Sequence, residues 1–380
     1  MRIGFVVQAA TVVLALVASA VPARSGDDRD AASGPPEMRE LERARRLVDQ
    51  SLTWLAGRVR SNGALEMTRS QQQPTVAATS LSILAFMAAG HTAEEGQDGH
   101  GARLRALIGW LLQQATVQPC TCTRVAGEHV IAKFVDPAFQ TSQMHSHGYA
   151  TWAVAMADGM SMGADNVEQR DRLRRILQGA VHCIELAQHV KGGWYYALEP
   201  EGNHEGSVTV TALQALRSAK EAGMSVDPGV IERARGYLRQ SQVKEPDDPR
   251  HGGFRYQLND SLTTFALTAA AVSSLNQTGE YDSGSIELGI EFMRRRDPLS
   301  RFGIEPEQWP WYGRFYATQA YWQHRDLRHF RGWYPQLLAT AERETDRGVF
   351  QDALFGEVYA TAMAALTLAL PFGYLPSFQR

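Results

Sequence analysis

The chain has 380 residues, of which 44% are hydrophobic and 21% charged, and its formal net charge is −3. That balance suits a large buried core, and its sign excludes a nucleic-acid surface, because phosphate binding needs a basic field. Three cysteines are too few for a disulfide-stapled scaffold, so packing must carry the stability.

The N-terminus reads as a targeting segment. Arg2 supplies a short positive region, and Ala9 to Ala20 form an apolar run too short to span a bilayer. Ala18-Ser19-Ala20 fits a small-x-small cleavage site, with Val21-Pro22-Ala23 as a second option. The expectation is a signal peptide over 1–23, export to the periplasm or beyond, and no integral span after cleavage. Residues 24–37 are polar and rich in Pro and Gly, as a disordered linker is. A single domain is expected over 38–380.

From there two kinds of helix alternate. Residues 40–59 carry Leu41, Ala44, Leu47, Val48, Leu52 and Leu55 on one stripe, the pattern of a half-exposed helix. Residues 76–91 are apolar and Ala-rich along their whole length, which predicts a helix buried on most sides. The amphipathic kind returns at 103–114, 171–188, 228–242, 285–296 and 332–344. The apolar kind returns at 148–161, 207–223, 262–279, 315–322 and 358–370. Asp227-Pro228 is a helix start, with Asp as cap and Pro in the first turn. Tyr-Ala-Thr heads three of the apolar segments, at Tyr149, Tyr316 and Tyr359, and threonines 79, 151, 211, 264, 318 and 361 recur at equivalent places.

Six buried and six amphipathic helices close as two concentric rings. An open solenoid would need polar terminal caps, whereas residues 359–376 are strongly apolar, as a last helix packed on the first pair requires. The predicted fold is therefore all-α, an α/α toroid of about six helix pairs. Loops before buried helices share Gly-Gly-aromatic-x-Tyr at 192–196 and 252–256, with a weaker copy at 346–361. Paired glycines allow tight turns, so these loops are expected to staple repeats together.

Gln188 with Gly192-Gly193-Trp194, then Gly252-Gly253-Phe254, resembles the Gln/Trp loop repeats of the prenyltransferase and squalene-cyclase superfamily. The order of segments across about 75–376 is similar to exported prenyltransferase/squalene-oxidase-repeat proteins of planctomycete-like bacteria. The resemblance implies a toroid of the terpenoid cyclase/prenyltransferase type. The superfamily's chemical motifs are missing: no Asp-x-Asp-Asp, no Asp-x-Cys, no Gly-Cys-Gly-Glu-Gln and no Cys-His-Gly string occurs. Fold alone does not license function.

The remaining candidates are rim residues. His145 and His147 precede the second buried helix, at one mouth of the ring, and His147 is either a proton carrier or metal ligand, or else caps the helix or bonds to a loop carbonyl. Glu205, in "NHEGS", either pairs with His147 as acid and base or favours the positive helix end beside a capping Ser207. Asp260 and Glu357 continue an acidic rim, and two carboxylates serve glycoside hydrolysis on other toroids. Tyr149, Tyr316 and Tyr359, with Trp309, Trp311, Tyr312 and Trp322, suit an aromatic central cavity, or else pack between helices. Trp194 and Gln319 complete the ligand-binding candidates. Cys120-Thr121-Cys122 with His129 resembles half a metal site, but the spacing is tight and no second pair exists, so no metal is expected and a disulfide to Cys183 is favoured. No cofactor is implied.

The expected function is binding of a small molecule, glycan or partner protein in the cavity or at its rim. A polysaccharide hydrolase or lyase using His147, Glu205 and Asp260, and a terpenoid cyclase with a non-standard acid, are the rivals.

Overall fold

A computed structural model describes residues 37–379 except 95–98, 121–129, 138, 161–166, 201, 281–282, 301–306 and 308. The expected leader at 1–23, nearly all of the expected linker, Cys122 and His129 lie outside the described residues. Among the described residues twelve α-helices form, alternating in kind as the hydrophobic pattern requires. The amphipathic set is α1 (Met38–Gly57), α3 (His100–Gln113), α5 (Val167–Ala187), α7 (Pro228–Ser241), α9 (Gly284–Arg295) and α11 (Arg328–Glu344). The apolar set is α2 (Thr75–Ala88), α4 (Gln143–Met160), α6 (Gly206–Glu221), α8 (Phe265–Gln277), α10 (Pro310–Gln323) and α12 (Gly356–Leu368).

The apolar helices form a closed inner ring. α2 packs on α4, and α6, α8, α10 and α12 follow in turn, with α12 packed back on α2. The ring is tight because its side chains are small. Every residue from Val76 to Ala88 is buried, and a Cβ on Gly148 of α4 would stand 2.7 Å from Cγ2 of Thr211 on α6. The outer helices each bury one stripe, as α1 does with Ala44, Leu47, Val48, Ser51, Leu52 and Leu55. Closure joins residues nearly 300 positions apart: Arg43 pairs with Glu342, and the Ser51 hydroxyl donates to the Gly348 carbonyl at 2.7 Å.

The glycine loops act as staples through one repeated hydrogen bond. The Trp194 N–H donates to Oγ1 of Thr209 at 3.0 Å, Phe254 N–H to Thr268 at 3.1 Å, and Phe350 N–H to Thr361 at 3.0 Å. In each loop a glycine at positive φ lies flat on the next outer helix. A Cβ on Gly192 would meet the Arg233 carbonyl oxygen at 2.1 Å, and one on Gly252 the Leu288 oxygen at 2.3 Å. The Gln188 amide ties the first loop to the Val230 carbonyl on α7, and Gln242 ties the second to Ser285 on α9. The threonine register read from sequence slips here. Thr209 and Thr268 hold the staples, whereas Thr264 caps α8 by accepting from Leu267 N–H.

Two elements lie outside the helical pattern. β1 (Ala115–Pro119) and β2 (Val130–Phe134) form an antiparallel hairpin packed on α5. The C-terminal 3-10 turns Leu370–Phe372 and Pro376–Phe378 close one end of the ring, with the Phe378 ring 6.1 Å from Trp152 and 6.2 Å from Phe315. The expected bridge to Cys183 does not form: that thiol is free and buried, and burial pushes it up to about 12. No helix of the described residues is long and apolar enough to cross a membrane.

Candidate functional site

At the end opposite the C-terminal turns, the N-termini of the six inner helices surround a cavity of about 500 Å3. Each of them contributes: Ala77 from α2, His145 and Tyr149 from α4, Ser207 from α6, Leu267 from α8, Tyr312 from α10 and Tyr359 from α12. Five tyrosines line it. Tyr149, Tyr312 and Tyr359 come from helices, and Tyr196 and Tyr256 from the two best staple loops, where their hydroxyls meet. The final Tyr of Gly-Gly-aromatic-x-Tyr thus reaches the site, while the aromatic before it makes the staple.

The mouth is apolar. Trp309 is 43% exposed and stacks on Phe355 at 6.0 Å and 29°, and Leu262 is 47% exposed. Asp352 is the acidic side chain of the lining, and no Lys or Arg is among the described lining residues. Its Oδ1 accepts from the N–H groups of Leu354 and Phe355 at 2.9 and 2.8 Å, at the start of α12.

His145 and His147 separate because α4 begins earlier than the sequence pattern implies, at Gln143. Two residues apart on one helix, they face opposite sides. His145 enters the cavity, its Nδ1 2.7 Å from the Ser142 hydroxyl and its ring 6.3 Å from both Tyr149 and Tyr196. His147 turns outward into the wall. Its Nδ1 accepts from Phe134 N–H at 3.2 Å and Nε2 bonds the Ala180 carbonyl at 3.2 Å, joining α4 to the hairpin and to α5. Burial lowers both imidazoles to about 4, so both are neutral at pH 7.

Glu205 is fully buried and is itself the cap of α6. It accepts from Ser207 N–H at 2.8 Å, from Val208 N–H at 2.6 Å and from the Ser207 hydroxyl. Burial raises it to about 7, against the pull of those donors. It stands behind Ser207, outside the lining. Asp260 accepts from Leu262 N–H at 3.0 Å within the loop whose Leu262 forms the lip. His147, Glu205 and Asp260 thus occupy a wall, a helix cap and a loop turn.

Of the aromatic and ligand-binding candidates, Tyr149, Trp309, Tyr312 and Tyr359 line the cavity. Tyr316 lies beneath them, fully buried, because α10 starts at Pro310 and Tyr312 takes the upper position. Trp194 sits in the staple, its indole N–H donating to the Ile184 carbonyl at 2.7 Å. Trp311 packs on Phe350 and Arg314. Gln319 is deeper still. The site residues that sequence reading did not single out are Ser142, Tyr196, Tyr256 and Asp352. Among the described residues no three His, Cys, Asp or Glu side chains gather as metal ligands do.

No protein-family profile and no characterised protein sequence matches this chain. Solved structures do match in fold. A cellobiose 2-epimerase from Bacillus thermoamylovorans B4167 aligns with a TM-score of 0.57 at 11% identity, over 87% of this chain and 98% of the other. The GH76A α-1,6-mannanase of Salegentibacter sp. HEL1_6 aligns at 0.56 and 11% identity, again over 87% and 98%. A type II terpene cyclase from Scytonema, in complex with its substrate geranylgeranyl dihydroxybenzoate, aligns at 0.53 and 14% identity over 89% and 99%. At these identities the likeness shows the fold alone, one that this chain shares with a glycosidase, an epimerase and a terpene cyclase: the chain described here is an α/α toroid.

Proposed function

We propose that the cavity binds a neutral, polyhydroxylated ligand, a short glycan. The observation that carries this reading is the lining: five phenols, a neutral imidazole and the hydroxyls of Ser142, Ser207 and Thr264, interleaved with aromatic faces and without a cationic side chain among the described lining residues. Sugars present alternating hydroxyl edges and C–H faces, which such a surface matches. The volume falls within the range of small-molecule sites. An isoprenoid diphosphate or a uronate would find no cation in that lining. Two of the structural neighbours, the mannanase and the epimerase, are named for glycan substrates. The leader at 1–23 suits a protein that meets glycans outside the cytoplasm, and N-terminal sequencing of the mature protein checks that leader.

The test is calorimetric titration with neutral oligosaccharides, with uronate oligomers as the charged comparison. Binding of a neutral glycan is expected, weakened about tenfold or more by Trp309→Ala or Tyr359→Ala, which is about 1.4 kcal/mol or more. Absence of binding to every neutral oligosaccharide tried, or equal affinity in the variants, overturns the reading.

A further inference from the structure

Below the cavity the ring axis stays polar, and several of its polar atoms make no hydrogen bond. Tyr149 on α4, Thr211 on α6 and Tyr316 on α10 meet across the axis, for both tyrosines turn their hydroxyls toward Thr211. The Tyr316 hydroxyl reaches no partner at hydrogen-bonding geometry. The Tyr312 hydroxyl, one turn above, approaches the Ser207 carbonyl at 3.4 Å and again joins α10 to α6. These contacts fix which face of each helix looks inward.

Three residues further along, about 4.5 Å deeper at the helical rise, the same faces present Trp152, Gln214 and Gln319. The three are 0–1% exposed. The Trp152 indole N–H and both amide atoms of each glutamine make no hydrogen bond, even to one another. Another four residues along α6, the Ser218 hydroxyl is also unpaired, and so is that of Ser377 in the C-terminal turns. Buried amides and indoles of native proteins are almost always bonded, and a cluster of unbonded ones on one axis marks a place built for a polar guest. The inventory is complementary: an indole N–H and two amide N–H2 groups donate, and two amide oxygens accept. One hydroxyl oxygen, which accepts twice and donates once, can meet the indole N–H, one amide N–H and one amide oxygen of such a set.

We propose that Trp152, Gln214 and Gln319 form a deep hydroxyl-binding subsite on the toroid axis, one turn beneath the Tyr149–Tyr316 layer. The guest is an oxygen that accepts from the Trp152 N–H and from an amide and donates to a glutamine carbonyl. It is either water or a hydroxyl of a glycan that reaches past the tyrosines. The subsite extends the proposed glycan cavity, but its water-filled form does not depend on that reading.

The deciding experiment is a pair of high-resolution crystal structures of the full chain, free and soaked with α-1,6-mannotriose. The free form is expected to show an oxygen within hydrogen-bonding distance of Trp152 Nε1 and at least one of the two glutamine amides. Persistence of that oxygen as water in the soaked crystal identifies water as the guest, and its replacement by a sugar hydroxyl identifies the ligand. If mannotriose fails to bind, only the glycan reading suffers, because the free form decides the subsite. Amides paired with each other or with protein groups, with no oxygen among them, overturn the proposal. Thermal unfolding of Gln319→Leu is an independent check. A lower midpoint is expected, since the guest loses partners, and a midpoint raised by several degrees overturns the subsite, because replacing a dry unbonded amide with an apolar group stabilises.

Discussion

The staple threonines allow a matched test of whether one hydrogen bond holds the repeats together. Thr268→Val keeps shape and volume but removes the acceptor of the Phe254 N–H, which lies 3.1 Å from Oγ1 in a fully buried setting. The stranded N–H has no water to turn to, so the loss is the desolvation cost of an unpaired donor, about 1–3 kcal/mol. Thr361→Val does the same to Phe350, and Thr209→Val also removes the bond that Thr209 makes to the Glu205 carbonyl at 2.6 Å. The ranking should be Thr209→Val as costly as Thr268→Val and Thr361→Val, or costlier. Thr79→Val is the control. That threonine is as deeply buried on α2, but its hydroxyl makes no hydrogen bond. Its replacement by Val removes an unsatisfied polar atom and should be neutral or stabilising. Urea unfolding followed by far-ultraviolet circular dichroism reads each difference from the midpoint and slope. Equal destabilisation by Thr79→Val and Thr268→Val would refute the argument, because the effect would then belong to β-branched packing and not to the staple bond.

Other consequences follow from geometry and titration. Gly252→Ala forces a Cβ to 2.3 Å from the Leu288 oxygen at φ +87 and should cost at least about 1–3 kcal/mol. Gly236→Ala, mid-helix in α7 with nothing within 4 Å, should gain about 0.5–1 kcal/mol in the same unfolding assay. His147 takes a proton at about 4 when folded and 6.5 when not, so the unfolded chain holds more protons between those values. Stability should therefore fall as pH drops from 6.5 to about 4, by roughly 3 kcal/mol from this group, and His147→Gln should flatten that slope. Glu205 acts oppositely. Its folded value of about 7 lies above the ordinary 4.5, so its contribution is lost as pH rises through that window. Glu205→Gln should steepen the slope between pH 4.5 and 6.5, measured by midpoint against pH. Native Cys183 should resist alkylation until urea unfolds the chain, since the thiol is buried and protonated.

The fold was legible because hydrophobic periodicity is local. An inner helix of a closed ring is apolar all round and an outer one on a single stripe, and both patterns survive in 15-residue windows. The strength of that signal also explains its slips. Apolar runs say where a helix is buried, not where it begins. The apolar pattern starts α4 at Gly148 although its polar first turn starts at Gln143, and α10 at Phe315 although it starts at Pro310. Five residues of error rotate a helix by more than a full turn. That is why the pattern puts His147 at the rim beside His145 and Tyr316 in the cavity beside Tyr312, whereas of each pair it is His145 and Tyr312 that line the cavity. The hairpin escaped notice because its ten residues mix polar and apolar positions in short strands that lean on α5.

The cavity was harder to read than the ring for a physical reason. A staple needs a glycine at positive φ, an aromatic and a threonine, which are distinctive letters close in sequence. A binding surface needs only that side chains from six helices converge, and convergence is a property of the closed ring. Asp352 shows the difference. In sequence it is one acid in a weak third copy of a loop; in the fold it holds the turn just ahead of the last inner helix and brings the lining its acidic side chain. Conversely Glu205, the most conspicuous acid in the sequence, spends both oxygens on α6 and acts on the cavity through position, holding Ser207 at the wall and adding to the rise that burial chiefly imposes on the phenols of Tyr196 and Tyr256. A carboxylate so engaged can take up a proton only by weakening its own helix cap. Protonation of Glu205 and loosening of the Ser207 wall are therefore one event, and ligand affinity should change with pH near 7 in the native protein but not in Glu205→Gln.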